Sequence, residues 1–148
     1  MKKEIYIIIF MLSTIIFYYF IFINNNKIIN KKEYDIFALQ AASFDNIDNA
    51  SIYKANLPSS IIVKQNNLYN VYVGMYKDID LVNKMIVYFE DNNINIYLKN
   101  IKVNKDLYNK LDNYEKILIN SNDVRVYKNI NQSILDMYIN GESIWLNI

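Results

Sequence analysis

Two stretches of this chain, Leu39–Asp48 (LQAASFDNID) and Val71–Asp80 (VYVGMYKDID), follow the same plan. Each has an apolar segment, a small residue, an aromatic residue, a polar turn and the start of a second apolar pattern. The aligned positions are Ala42 with Gly74, Phe44 with Tyr76, Ile47 with Ile79 and Asp48 with Asp80. A strand–helix unit repeated at this spacing, with extended segments after each helix, predicts a β-α-β-β-α-β split sandwich. The expected class is therefore α+β, a four-stranded antiparallel sheet with two helices on one face.

Periodicity and turn residues place the elements of this predicted domain. Two helices are expected, one capped by Asp45 or Asn46 and one beginning at Asp78 and ending at Asn92-Asn93. Asn66-Asn67 tolerates the positive φ angles of a tight turn, so the second and third strands should form a hairpin. The four strands are predicted at Ile36–Ser43, Ser60–Gln65, Leu68–Met75 and Ile94–Ile101.

An apolar and aromatic run, Ile5–Ile23, precedes this domain. It is about as long as the roughly 20 residues that a membrane-spanning helix needs, and it has no small-residue cleavage site. The sequence therefore predicts an uncleaved signal anchor in residues 1–23, which would join the chain to the cytoplasmic membrane, followed by a polar linker in residues 24–33. The flanking lysines nearly balance, so charge alone leaves the orientation open.

The last part of the chain changes character. In residues 104–148, apolar side chains recur at helical spacing in a charged, Asn-rich background, which predicts a helical hairpin over Lys105–Asn140. The positions that carry this pattern are Leu107, Leu111, Tyr114, Leu118, Ile130, Ile134, Leu135 and Tyr138. The hairpin either packs on the domain of residues 34–103 or forms a separate element that binds another protein.

Composition excludes several classes of function. The chain has no cysteine and no histidine, so it lacks thiolate chemistry, the commonest metal ligand and the commonest base at neutral pH. Two glycines cannot build a Gly-rich phosphate loop, and a net charge of +1 does not attract nucleic acid. We therefore expect no cofactor, no metal and no nucleic-acid partner.

The predicted domain resembles the SPOR domain, the sporulation-related repeat of bacterial envelope proteins. Leu39-Gln40-Ala41-Ala42-Ser43-Phe44 is similar to the opening V-Q-x-G-S/A-F of that family. Leu68-Tyr69-Asn70-Val71-Tyr72-Val73-Gly74-Met75-Tyr76 is similar to its Y-R-V-x-V-G-P-F/Y. The resemblance covers Ile36–Val103 and does not extend to the hairpin. Two positions depart from the family, since Asn70 replaces an arginine and Ala42 replaces a glycine.

The resemblance implies a function and an orientation. Members of this family bind peptidoglycan, prefer glycan strands stripped of their stem peptides, and collect where septal wall is remodelled in cell division or sporulation. Many are tethered by one N-terminal helix. The resemblance thus implies a cytoplasmic N-terminus, an extracytoplasmic domain and a binding module rather than an enzyme.

Strand alternation and the family motif select the candidate glycan-binding residues. Leu39, Ala41, Val71, Val73, Ile96 and Leu98 are assigned to the face under the helices. Gln40, Ala42, Gly74, Tyr97 and Lys99 are then expected on the uncovered face with Leu68, Asn70 and Tyr72. Amides and hydroxyls suit sugar hydroxyl and N-acetyl groups, and aromatic rings suit pyranose C–H faces. The candidate set is Gln40, Ser43, Leu68, Asn70, Tyr72 and Tyr97.

Other interpretations stay open at this point. Tyr72 and Tyr97 are also explained as a simple cross-strand pair, because tyrosine favours strands. Asp45 with Asp48, and Asp78 with Asp80, could act as catalytic carboxylate pairs, but both lie where helix capping expects Asp. Ser43 has no histidine to activate it, so no residue is assigned a catalytic role. The main alternative function is an envelope scaffold that binds another envelope protein.

Overall fold

The computed structural model describes residues 12–19 and 32–142. The chain divides into two compact units, Met1–Lys31 and Lys32–Ile148. In the first unit, residues 12–19 are helical. Across the two described ranges, we find no helix of sufficient length and apolarity to cross a membrane. The predicted anchor Ile5–Ile23 and the predicted linker in residues 24–33 lie largely outside the described residues.

The second unit contains a four-stranded antiparallel sheet and helices, so the predicted α+β class is confirmed. Between residues 32 and 142 its elements are β1 (Tyr34–Phe44), α1 (Ile47–Ala55), β2 (Ile61–Gln65), β3 (Leu68–Tyr76), α2 (Ile79–Asp91), β4 (Tyr97–Val103), α3 (Lys105–Ile119) and α4 (Val124–Glu142). The strands are arranged in the order β2-β3-β1-β4, and each neighbouring pair is antiparallel. The central strands are therefore the two that carry the repeated sequence plan.

The repeated plan corresponds to equivalent structure in both halves. The N-cap of α1 is Asn46, whose side chain accepts a hydrogen bond from the Asp48 N–H at 2.7 Å. The N-cap of α2 is Asp78, whose side chain accepts from the Leu81 N–H at 2.9 Å. These caps are equivalent positions of the two aligned stretches, and each helix begins one residue later. Both helices thus start for the same reason, a side-chain acceptor for an unpaired backbone N–H.

Gly74, the small residue of the second stretch, leaves room for the side chain of Tyr76. A Cβ on Gly74 would lie 2.8 Å from ring carbons of Tyr76 and even closer to its hydroxyl. The Tyr76 ring therefore folds back over Gly74 and is completely buried. Its hydroxyl donates to Asn131 Oδ1 of α4 at 2.6 Å. This one contact joins the end of β3 to the C-terminal hairpin.

The predicted helical hairpin is present, and it shares the core of the sheet. Leu107, Leu111 and Leu118 of α3 are buried, as are Ile134 and Leu135 of α4, in one cluster with the strands. Helix α4 contacts β3 and β2, while α3 contacts α4, α2 and β1. Of the two possibilities left by the sequence, the structure favours a hairpin that packs on the domain.

Polar contacts reinforce this attachment. Glu115 of α3 is buried and accepts the backbone N–H of Lys77 at 2.5 Å. Burial raises the pKa of the Glu115 carboxyl, and the N–H groups of Lys77 and Asp78 only partly offset that rise. Lys84 of α2 donates to carbonyls at the end of α3, including that of Leu118 at 3.2 Å. The hairpin is thus fixed to both ends of the β3–α2 connection and to α2 itself.

The fourth strand differs from the prediction. It spans Tyr97–Val103 instead of Ile94–Ile101, and Leu98, which was assigned to the core, is 44% exposed. β4 lies at the edge of the sheet beside β1, so only one side of its backbone is paired. An edge strand buries less of each side chain than a central one, and alternation alone did not reveal its position in the sheet.

Candidate functional site

A concavity of about 460 Å³ lies on the sheet and gathers most of the predicted site residues. Five of the six predicted residues line it: Gln40, Ser43, Leu68, Asn70 and Tyr72. Its lining comes from the four strands and the β2–β3 turn, and no described residue of α1–α4 contributes. We call this concavity the groove.

An irregularity in β1 brings Gln40 and Ser43 to the same groove. In a regular strand, residues three apart point to opposite faces. The pairing of β1 with β3 shifts between Leu39 and Gln40 and again between Gln40 and Ala42. As a result Gln40 is paired with Tyr72 and Ser43 with Asn70. A local register shift re-aims side chains in this way, so Ser43, not Ala42, accompanies Gln40.

Hydrogen bonds hold the polar groups of the groove in place. The Ser43 hydroxyl donates to Asn70 Oδ1 at 2.7 Å, across the β1–β3 pairing. The Tyr72 hydroxyl donates to Gln65 Oε1 at 3.2 Å. Burial raises the pKa of Tyr72, so its hydroxyl keeps its proton and remains a donor at neutral pH. In both bonds the amide oxygen is the acceptor. The side-chain N–H groups of Asn70 and Gln65 are not used in these bonds and can donate to a ligand.

The predicted exposure of these side chains is wrong. Tyr72 is only 2% exposed, and Gln40 and Asn70 are each 8% exposed. Tyr72 lies in the interior strand β3, between Ile61 of β2 and Gln40 of β1, so neighbouring side chains cover its ring. These residues form the floor of the groove. Leu68 is 38% exposed and provides the accessible apolar surface.

Tyr97 lies apart from the other predicted residues. It is 61% exposed on the edge strand β4 and does not line the groove. Gln40 of β1 is paired with Tyr72 on one side and with Tyr97 on the other. The suggestion that Tyr72 and Tyr97 form a cross-strand pair is therefore wrong, because a strand separates them.

Five further residues complete the lining and were not among the predicted site residues: Gln65, Asn66, Lys99, Asn100 and Ile101. Asn66 is in the turn with a φ of 49°, and its neighbour Asn67 has a φ of 64°. The sequence contained a signal for Lys99, which alternation placed on the uncovered side. The sequence contained no signal for Asn100, because the position of Asn100 depends on the pairing of β4 with β1.

Other concavities and the acidic residues of the described chain have fewer groups that could bind a ligand. Two other concavities, of about 500 and 360 Å³, lie by the end of α1 and between α3 and α4. Size thus does not distinguish the groove, but the density of amides and hydroxyls does. Asp78 is the N-cap of α2, and Asp80 lies in the first turn of that helix, as is usual for aspartate at a helix start. Among the described residues, no group of acidic side chains is placed to hold a metal ion.

The segment that builds most of the groove also matches a known family. Residues 34–87 match the family model of the SPOR domain. This segment is a SPOR domain. The SPOR match runs from β1 into α2, so it includes all five predicted groove residues. β4 with Lys99 and the hairpin α3–α4 lie outside it. No curated protein and no solved structure matches the chain.

SPOR domains bind peptidoglycan, which supports a role for this chain at the cell wall. The chemistry of the groove agrees with that class of ligand. Neutral amides and hydroxyls exchange hydrogen bonds with sugar hydroxyls and N-acetyl groups, and an aliphatic side chain covers C–H surface. The arrangement is that of a binding surface for a polymer rich in hydroxyl and amide groups.

Proposed function

We propose that this chain is a non-catalytic, membrane-anchored and extracytoplasmic protein that binds peptidoglycan in the groove. Its ligand is a glycan strand stripped of stem peptides, at the division or sporulation septum. The observation that carries the proposal is the groove itself, in which five residues selected for glycan binding from the sequence line one concavity of the SPOR domain.

The contacts of the groove residues suggest how a glycan is recognised. Ser43 and Asn70 present a hydroxyl and an amide that are held by their mutual hydrogen bond, and Gln40 adds a second amide to the floor. Leu68 supplies apolar surface for the sugar ring, because the Tyr72 ring is covered. Fixed polar groups lose little conformational freedom on binding, which favours recognition of a semi-rigid polysaccharide. In this proposal Tyr97 contributes at most from the outer edge.

Co-sedimentation with purified peptidoglycan tests this proposal. The full-length protein in mild detergent is mixed with the wall polymer before and after an amidase removes the stem peptides. We expect binding to increase after amidase treatment. No sedimentation with either form of the polymer would contradict the proposal.

The β2–β3 turn offers a matched pair of variants for the same assay. Asn66 lines the groove and Asn67 does not, yet both have positive φ angles that glycine adopts without strain. Asn66→Gly should weaken binding about two- to tenfold, the range of one or two lost hydrogen bonds. Asn67→Gly should leave binding unchanged. Equal effects of the two variants would place the ligand elsewhere.

The membrane anchor is part of the proposal and rests on the sequence of Ile5–Ile23. An N-terminus in the cytoplasm places residues 34–103 and the extension 104–148 outside the membrane, where peptidoglycan lies. Protease added to wall-stripped cells should then cut after Asn24 and release the folded domain. Complete protection from external protease would contradict this orientation.

The alternative of an envelope scaffold has less support. A hairpin that binds a partner protein needs an available apolar face. The inward side chains of α3 and α4, such as Leu111 and Ile134, are used in the core of this chain. The apolar residues that a partner could meet on the hairpin are the exposed ones, Ile117, Ile119, Val124 and Ile139. A role in which the hairpin holds the SPOR domain together explains the same residues.

A further inference from the structure

One side chain of the groove differs from all the others in charge. Lys99 is the only charged residue among the ten that line it, and the remaining polar groups are neutral amides and hydroxyls. It reaches the groove from β4, which lies outside the SPOR match. A cation beside neutral donors and acceptors suits a ligand that carries one anionic group among its polar groups.

Within the part of the chain that the structure describes, Lys99 lacks the carboxylate partner that Lys77 and Lys102 have. Lys102, three residues further along β4, is 3.5 Å from Glu33, and Lys77 is paired with Asp112. In residues 32–142, no carboxylate lies within ion-pair distance of Lys99. Lys99 is paired across the strands with Ala38, which offers no charge. The charge of Lys99 is therefore available to a bound molecule.

We propose that Lys99 is a specificity-determining residue that binds a carboxylate of the glycan. This inference rests on the proposed function, and it names the feature by which a stripped strand differs from an intact one. In peptidoglycan the stem peptide is attached through an amide bond to a lactyl group on alternate sugars. Removal of the peptide by hydrolysis leaves that lactyl group as a carboxylate.

The electrostatics of the two forms of the ligand differ accordingly. An amide is neutral and offers Lys99 only a weak acceptor, whereas a carboxylate forms a charge-assisted hydrogen bond with an ammonium group. Lysine suits this role because its charge is compact and its stem is flexible, so it follows a group that rotates. Because Lys99 is near the surface, the gain in affinity is modest and sensitive to salt.

Binding of two matched oligosaccharides to the full-length protein in mild detergent tests this proposal. One is a peptide-free glycan fragment with lactyl carboxylates, and the other is the same fragment with those carboxylates converted to methylamides. By isothermal titration calorimetry, the wild-type protein should bind the carboxylate form about two- to fivefold more tightly. That preference should disappear at about 1 M salt, where the screening length is roughly 3 Å.

Three variants distinguish a role of Lys99 from a general charge effect. Lys99→Gln should bind both fragments with the affinity that the wild-type protein has for the methylamide. Lys99→Arg keeps the charge and should keep the preference. Lys102→Gln removes an equal charge from the same strand outside the groove, and it should also keep the preference. Thermal melting of each variant checks that the fold is intact.

The outcomes separate this inference from the proposed function. Equal binding of the two fragments by the wild-type protein, or a preference that survives in Lys99→Gln, would overturn the role of Lys99 while glycan binding stands. Loss of the preference in Lys102→Gln would also overturn it, because the effect would then come from net charge. Binding of neither fragment would overturn both proposals.

Discussion

The contact between Tyr76 and Asn131 makes a sharp prediction about how the hairpin is attached. The two side chains come from β3 and α4, and they are 0% and 1% exposed. The Tyr76 hydroxyl donates to Asn131 Oδ1 at 2.6 Å, and burial raises the pKa of Tyr76, so it stays protonated. Tyr76→Phe leaves a buried amide oxygen without its donor. The expected loss in free energy of unfolding is about 1–3 kcal/mol.

A double-mutant cycle measures the contact itself. Asn131→Leu should cost a similar amount, since it leaves the Tyr76 hydroxyl unpaired. The double variant, Tyr76→Phe with Asn131→Leu, replaces both partners with apolar groups. Its loss in free energy of unfolding should be smaller than the sum of the two single losses, by at least about 1 kcal/mol. Urea unfolding of residues 32–148 gives these values. Tyr53→Phe is the control, because the Tyr53 ring packs on Phe44 and phenylalanine keeps that ring contact. Removal of the Tyr53 hydroxyl should change the free energy of unfolding by less than about 0.5 kcal/mol. Additive single effects would refute the contact as an energetic link.

The remaining predictions concern packing, length and pH. Gly74→Ala should lower the free energy of unfolding by about 1–3 kcal/mol, because the added methyl group collides with the Tyr76 ring. Gly141→Ala is the control, because its added Cβ would lie 3.5 Å from Asn104 Nδ2, an ordinary contact distance. It should cause no loss in free energy of unfolding in the same urea experiment. Truncation after Val103 removes four buried leucines and the buried Ile134, each worth about 2–5 kcal/mol, against a total stability of about 5–15 kcal/mol. The fragment of residues 32–103 should therefore lose cooperative thermal unfolding, and an unchanged melting temperature would show that the hairpin is a separate element. The pKa of Glu115 is higher in the folded chain than in the unfolded chain, so the folded state holds its proton more tightly. The stability due to Glu115 is then complete below the unfolded pKa of about 4.3 and falls as the pH rises through the folded pKa. Relative to Glu115→Gln, the wild-type protein should lose stability as the pH is raised from about 4, and parallel stability curves for the two proteins would exclude this.

Local sequence features predicted the parts of the fold that local chemistry determines. Asn66-Asn67 predicts a turn with positive φ, and both residues have positive φ angles. The aligned stretches predicted that two helices begin at equivalent positions, and both begin beside a side-chain cap. These features depend on neighbours a few residues away, so one sequence is enough to find them.

Features that depend on distant contacts were not predictable in this way. The register shift near Gln40 depends on how β1 meets β3, and it decides that Ser43 lines the groove. The burial of Tyr72 depends on side chains of both neighbouring strands. The exposure of Leu98 depends on the edge position of β4. Alternation gives the period of a strand but not its neighbours.

Nuclear magnetic resonance tests whether a glycan binds in the groove. Isotope-labelled protein of residues 32–148 is titrated with a peptide-free glycan fragment, and the shift of each backbone amide signal is followed. We expect the largest shifts at the groove, at Gln40, Ser43, Asn66, Asn70 and Lys99, with little change at Ser51 and Ser59 of the concavity beside α1. Shifts centred on the concavity beside α1 or on the hairpin, with the groove signals unmoved, would contradict it.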